Sequence, residues 1–199
     1  MKRCLHTFLL LATIAIVAGG EVRAHAQTLD VEKAGRVKAA YVLNFIRYSQ
    51  WPDDAFEQPD SPIVVTEVGE CDDDKVLSEV IRHSQPIGGR QVVLEHAPYG
   101  SDDADRQEFY RSLEQSHLVY ICSAGPEPIA TILARLNPSK TLTVGDTPDF
   151  VENGGMIGFV FEQDRILFQA NPKAIQKSRV TISAKVLKLA KIVGGEEIP

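Results

Sequence analysis

An α/β fold is predicted: a layered domain with a mostly parallel sheet covered by helices, plus a C-terminal antiparallel hairpin and two helices. Three observations predict it. Short β-branched runs alternate with amphipathic helical segments between residues 63 and 144, and parallel neighbours need such crossover connections. From Ile157 to Gln169 the rhythm changes to two strands with only Gln163-Asp164 between them, which is hairpin spacing. No internal repeat, low-complexity tract or long linker interrupts the 199 residues, so one domain accommodates the chain.

The chain begins with an expected export signal. Lys2 and Arg3 precede an apolar run from Phe8 to Gly20, too short to remain across a bilayer, which takes about 20 apolar residues. Ala24-His25-Ala26 then offers the small-x-small pattern of a signal peptidase, which places cleavage between Ala26 and Gln27. The alternative is a retained N-terminal anchor. Glu21 and Arg23 directly after the apolar run argue against it, and Cys4 lies too early for a lipoprotein cysteine. Residues 1–26 are therefore read as a cleaved signal peptide and 27–199 as a single exported domain. The remaining 173 residues carry 18 Lys and Arg against 26 Asp and Glu, a net −8. Nucleic acid is excluded as a partner class, because phosphate contacts demand clustered cations.

Each later element follows from its own signals. A helix is expected from Asp30 to Tyr48, with Val37, Ala40, Tyr41, Asn44, Phe45 and Tyr48 on one stripe, whose Tyr41, Phe45 and Tyr48 are read as core with a ligand cage as the alternative. Trp51-Pro52 ends it, since proline cannot donate the next backbone bond. Pro62 introduces a strand from Ile63 to Val68, bounded by Gly69. Asp72-Asp73-Asp74 opens a helix to His83, and Gly88-Gly89 turns into a strand from Gln91 to Glu95. Asp102 to Gln115 is a helix, His117 to Ile121 a strand, Pro126 to Leu136 a helix and Leu142 to Val144 a strand. The hairpin strands are Ile157 to Glu162 and Arg165 to Gln169. The closing helices run from Pro172 to Lys177 and from Ser183 to Val193.

Catalytic signatures are missing. The sequence has no GxGxxG, Walker loop, GxSxG, HExxH or CxxC. His83, His96 and His117 stand far apart in sequence, so no catalytic or metal residue is assigned and no cofactor is expected. Asp72-Asp73-Asp74 has the oxygen chemistry of a divalent-cation site, but acids at a helix start also cap N–H groups and meet the positive end of the helix dipole. The capping reading is preferred. Gly154-Gly155 lies between strands, so it is read as a turn requiring positive φ rather than as a phosphate loop.

Charge is unevenly spread. Nine acids and no bases lie between Asp53 and Asp74, and seven bases and no acids between Arg165 and Lys191. On the expected last helix, Lys185, Lys188 and Lys191 lie outside a Val186, Leu189, Ala190 and Val193 stripe. They are candidate partner contacts, with a simple solvated face as the alternative.

Val37-Lys38-Ala39-Ala40-Tyr41-Val42-Leu43-Asn44-Phe45, followed by Trp51-Pro52, resembles the opening of the YfiR-like family of periplasmic proteins. The resemblance continues through Gly89-Arg90, His117 to Ile121, Leu142 to Asp146, Gly154 to Ile157, Ile166 to Asn171 and Ile182 to Ala190. It implies a non-enzymatic brake that binds the outer sensor domain of an inner-membrane diguanylate cyclase of the YfiN type. It also implies release by an outer-membrane lipoprotein of the YfiB type, and a homodimer. The competing class is a ligand-binding sensor for another membrane protein such as a histidine kinase.

The chain departs from the family at its cysteines. Places where the best-known members carry cysteine look here like Thr66 and Ser116, and a second pair near the glycine turn is missing. Cys71 and Cys122 instead each follow a predicted strand. If those strands are neighbours in a parallel sheet, the two residues fall within disulfide reach. Two unrelated thiols are the alternative. Trp51 is a candidate partner anchor or a cover for the core edge, and Asn44 is expected to bond buried backbone.

Overall fold

The computed structural model describes residues 31–71, 74–97, 99, 102–122 and 127–194. Helix α1 spans 31–47. After it come β1 (Ser49–Gln50), β2 (Ile63–Val68), α2 (Asp74–Arg82), β3 (Val92–His96), α3 (Asp103–Gln115), β4 (Leu118–Ile121) and α4 (Ile129–Arg135). The chain continues through β5 (Leu142–Gly145), β6 (Ile157–Glu162), β7 (Arg165–Ala170), α5 (Pro172–Gln176), β8 (Thr181–Ile182), α6 (Ala184–Leu187) and β9 (Lys191–Ile192). The expected signal segment, Asp30, Asp72-Asp73 and Pro126 lie outside the described residues.

Seven strands form one sheet in the order β3-β2-β4-β5-β6-β7-β9. The first five are mutually parallel, β7 runs antiparallel to β6, and β9 is parallel to β7. This is the expected layered α/β architecture, with the hairpin continuing the parallel sheet rather than forming a separate unit. A second, two-stranded sheet pairs Ser49 with Ile182 and Gln50 with Thr181.

The sheet separates two cores. Odd-numbered β2 residues such as Ile63 and Val65 pack with α1, α2 and the C-terminal segment. Val68, with Val119 and Ile121 of β4, packs with Phe109 and Leu113 of α3 and Ile132 of α4. Both faces are covered, so β4 and β5 are buried at every position, as expected of parallel strands.

Local chemistry explains the connections. Asp102 caps α3 by accepting from the Asp105 amide. Gln163 and Asp164 both adopt positive φ, 51° and 57°, in the two-residue hairpin turn. Between β5 and β6 no helix intervenes, and Phe150 and Val151, both buried, cover the sheet instead. Phe150 lies so close to Gly145 and Gly155 that a Cβ on either would run into its ring. Positive φ therefore accounts for Gly154, at 103°, while close approach accounts for Gly155.

Two expectations fail. Helix α1 buries Ala39, Val42, Leu43, Phe45 and Ile46. Of the three aromatics read as core, Phe45 is buried and Tyr41 packs on Phe168, but Tyr48 is 43% exposed, and Val37 and Ala40 of the same stripe face outward. The reason is that α1 is apolar on both sides, so periodicity does not single out the face turned to the sheet. The helix expected from Ser183 to Val193 ends at Leu187, and Leu189 is 73% exposed. Backbone pairing ends it: Lys191 and Ile192 lie beside Gln169 and Ala170, and the Val193 amide donates to the Ala170 carbonyl.

A candidate docking face

Three places could act on another molecule. The first is the crevice at the carboxyl ends of the parallel strands. The chain runs from β2 outward to β3 and then returns to β4 on the other side of β2, which makes β2 and β4 the switch point where open α/β sheets bind ligands. Here Cys71 and Cys122 are joined by a disulfide, with Cα atoms 5.1 Å apart. Each follows one of the two neighbouring strands. Beside the bond, Lys38 of α1 pairs with Asp146, and Tyr120 donates to the same carboxylate at 3.4 Å. Glu67 lies buried within 3.1 Å of His96. The space left between these residues is about 20 Å³, enough for about one water molecule.

The second place is a polar groove of about 680 Å³ along α3 and α4, lined by Arg106, Tyr110, Glu127 and Arg135 among others. Tyr99 and Tyr110 both donate to the Glu127 carboxylate. Burial and this carboxylate push the Tyr110 hydroxyl up to about 12, and the two phenols hold Glu127 below its usual range. The Arg135 guanidinium stacks over the Tyr110 ring at 4.3 Å. The groups largely satisfy one another.

The third place is the outer side of α1. Val37 is 38% exposed, Tyr48 43% and Phe161 of β6 71%. Lys33, Val37, Tyr41, Phe161, Arg165 and Ile166 line a groove of about 690 Å³ between α1 and the hairpin. A second depression shares Lys33, Val37 and Tyr41 and continues to Ala40 and Asn44. Tyr41 belongs to both sides of the helix: its ring also packs at 5.4 Å on Phe168 of the core. Glu32, Lys33 and Arg36 share this outer side with Val37 and Ala40, and an exposed apolar strip of this kind is a candidate interaction surface.

The other singled-out residues divide between structural and exposed positions. Trp51 is half-buried and donates its indole N–H to the His117 carbonyl at 3.1 Å, so it covers the core edge. His117 is itself structural. Its Nδ1 accepts from the Val64 amide, its Nε2 contacts the Ala55 carbonyl, and Phe56 stacks on its ring. Burial lowers its pKa to about 4. Asn44 accepts from Arg47 rather than bonding buried backbone. Lys185 and Lys188 are exposed on and just after α6, while Lys191 sits on β9 and pairs with Glu162 at 2.8 Å. The three lysines therefore share no helix face. Thr66 and Ser116 are fully buried and meet hydroxyl to hydroxyl at 2.6 Å.

Among the described residues no three His, Cys, Asp or Glu side chains converge on a metal position, and no helix is long and apolar enough to cross a membrane. Sequence reasoning missed Phe161. A signal for it exists, because Phe161 continues the Phe159 parity at the end of a strand, where covering elements run out.

The comparisons agree with this architecture. A crystal structure of a conserved domain protein from Vibrio cholerae O1 biovar El Tor strain N16961 superposes with a TM-score of 0.50 at 15% identity, over 77% of this chain. This chain spans 59% of that one, and the likeness shows the fold alone. The comparison with curated proteins found no match. Residues 35–191 match the family described as YfiR/HmsC-like, a family of periplasmic, non-catalytic regulators in cyclic di-GMP signalling. With most of its length matched, the chain belongs to the YfiR/HmsC-like family.

Proposed function

We propose that this chain is a non-enzymatic periplasmic regulator that binds and represses the sensor domain of an inner-membrane diguanylate cyclase of the YfiN type. The observation that carries this reading is the outward apolar stripe of α1 running into Phe161 of the hairpin. Family membership supplies the signalling context. Repression of this kind is a population shift: the regulator binds the inactive arrangement of the sensor more tightly than the active one. No bond is made or broken in such a shift. An outer-membrane lipoprotein of the YfiB type is proposed to withdraw the regulator, and a homodimer is proposed as its working form. Lys185 and Lys188 are proposed as a basic flank that speeds encounter.

The alternative, a ligand-binding sensor acting on a protein such as a histidine kinase, draws support from the polar α3–α4 groove. Intracellular cyclic di-GMP, measured with and without the gene, separates the two. A rise on deletion is expected, reversed by the full-length gene and not by a version lacking residues 1–26. Unchanged cyclic di-GMP while the cyclase is expressed would remove the proposal.

A further inference from the structure

Resting on that reading, we infer that the groove between α1 and the β6–β7 hairpin accepts an amphipathic helix of the partner, with its apolar ridge inward and carboxylates along its flank. The floor of the groove is made of side chains. Val37 and Tyr41 stand one helical turn apart on α1, and Phe161 and Ile166 face them across the groove. Residues four apart form the ridges that interlock with another helix. A helix seated in an apolar groove uses this geometry, whereas an added strand needs free backbone donors and acceptors.

Charge sets the flank of the occupant. Lys33 and Arg165 border the groove and make no ion pair among the described residues, while Arg36 on the same side of α1 is already paired with Glu32 at 2.8 Å. One carboxylate, Asp164, lies at the hairpin tip. A cationic border on a chain of net charge −6 favours an acidic partner. It also disfavours a second copy seated isologously, which would bring Lys33 and Arg165 towards their own counterparts. Phe161, 71% exposed on the central wall, is placed as the anchor that fills the occupant's apolar ridge.

Fluorescein-labelled 18-residue peptides test this against the mature chain by anisotropy. One peptide carries Leu and Phe at helical spacing with Glu flanks, a second has Lys flanks, and a third is the Glu peptide broken by proline. The Glu peptide is expected to bind at least about tenfold more tightly than the other two. Lys33→Glu with Arg165→Glu should reverse the preference between flanks. Phe161→Ser should weaken both helical peptides while the melting temperature stays unchanged. Equal binding of the three, no binding, or a preference that survives the charge reversal would each overturn the inference. Failure here with cyclic di-GMP still rising on deletion leaves the regulatory reading standing. Peptide binding with unchanged cyclic di-GMP removes that reading and keeps the groove.

Discussion

The carboxyl-end crevice and the outer groove share helix α1 as a wall, yet they are opposites. The crevice lies where α/β sheets commonly hold ligands, and it is filled by a disulfide, the Lys38–Asp146 pair and Tyr120. About 20 Å³ remains there, against about 690 Å³ on the outer side. The contrast teaches that the fold has invested its inner chemistry in rigidity. On the proposed reading, recognition belongs to a surface that the fold alone leaves uncovered.

Removing the disulfide should sharpen the contrast most. It closes a loop of 51 residues, worth about 4 kcal/mol by loop-closure entropy. Cys71→Ser with Cys122→Ser should therefore lower the melting temperature by about 10 °C. Partner affinity, measured below the new transition, should stay within about twofold if docking belongs to the outer groove. A large affinity loss with native-like stability would assign docking to the crevice instead.

Acid should act on the scaffold next. Burial holds His117 neutral in the folded protein, with a pKa of about 4 against an ordinary value of 6.5. The unfolded chain thus binds the proton first as pH falls. The stability this histidine contributes is complete above pH 6.5 and is lost progressively as pH falls towards 4. Allowing for partial solvent screening, the loss is about 2 kcal/mol. His117→Gln should flatten this part of the profile in urea titrations at stepped pH, and an unchanged slope would assign the acid sensitivity elsewhere.

The smallest effect is expected at the basic tail. Lys185→Glu with Lys188→Glu should slow association by only a few-fold and leave dissociation unchanged, because exposed border charges act mainly on encounter. Stopped-flow kinetics at two salt concentrations would show it. A slowed association that persists at high salt would count against an electrostatic role.

Much of the scaffold is legible in the sequence. Every strand from Ile63 to Gln169 is expected within a few residues of its position, since β-branched runs bounded by Gly, Pro and Asp carry local signals. Strand ends put Cys71 and Cys122 on the same edge of a parallel sheet, but that their strands are neighbours is supplied by the structure and left open by the sequence. The facing of α1 is not legible. Two apolar stripes on one helix give periodicity no way to choose, and the inner set of Ala39, Val42, Leu43 and Ile46 is decided only by the sheet beneath it. The tail misleads for a related reason. Lys191 and Ile192 have helical neighbours in sequence but a strand partner in space, and tertiary pairing overrides propensity. For the candidate docking face, periodicity puts the outward-facing Val37 and Ala40 on one stripe with the buried Phe45, places Tyr41 correctly against the core, and misses Phe161.

The hairpin is attached to the rest of the sheet by a narrow seam. β6 meets β5 only at Ile157 and Gly158, while its pairing with β7 runs through six residues. Phe159 to Glu162 therefore extend past the end of β5 as one side of a two-stranded arm. Such an arm opens at lower free energy than the buried strands, so its outer amides should exchange with deuterium well before those of β4. A partner helix laid across Phe161 would bridge the arm to α1 and slow that exchange. On this account binding would be visible as acquired protection at the hairpin, with β4 as the internal standard.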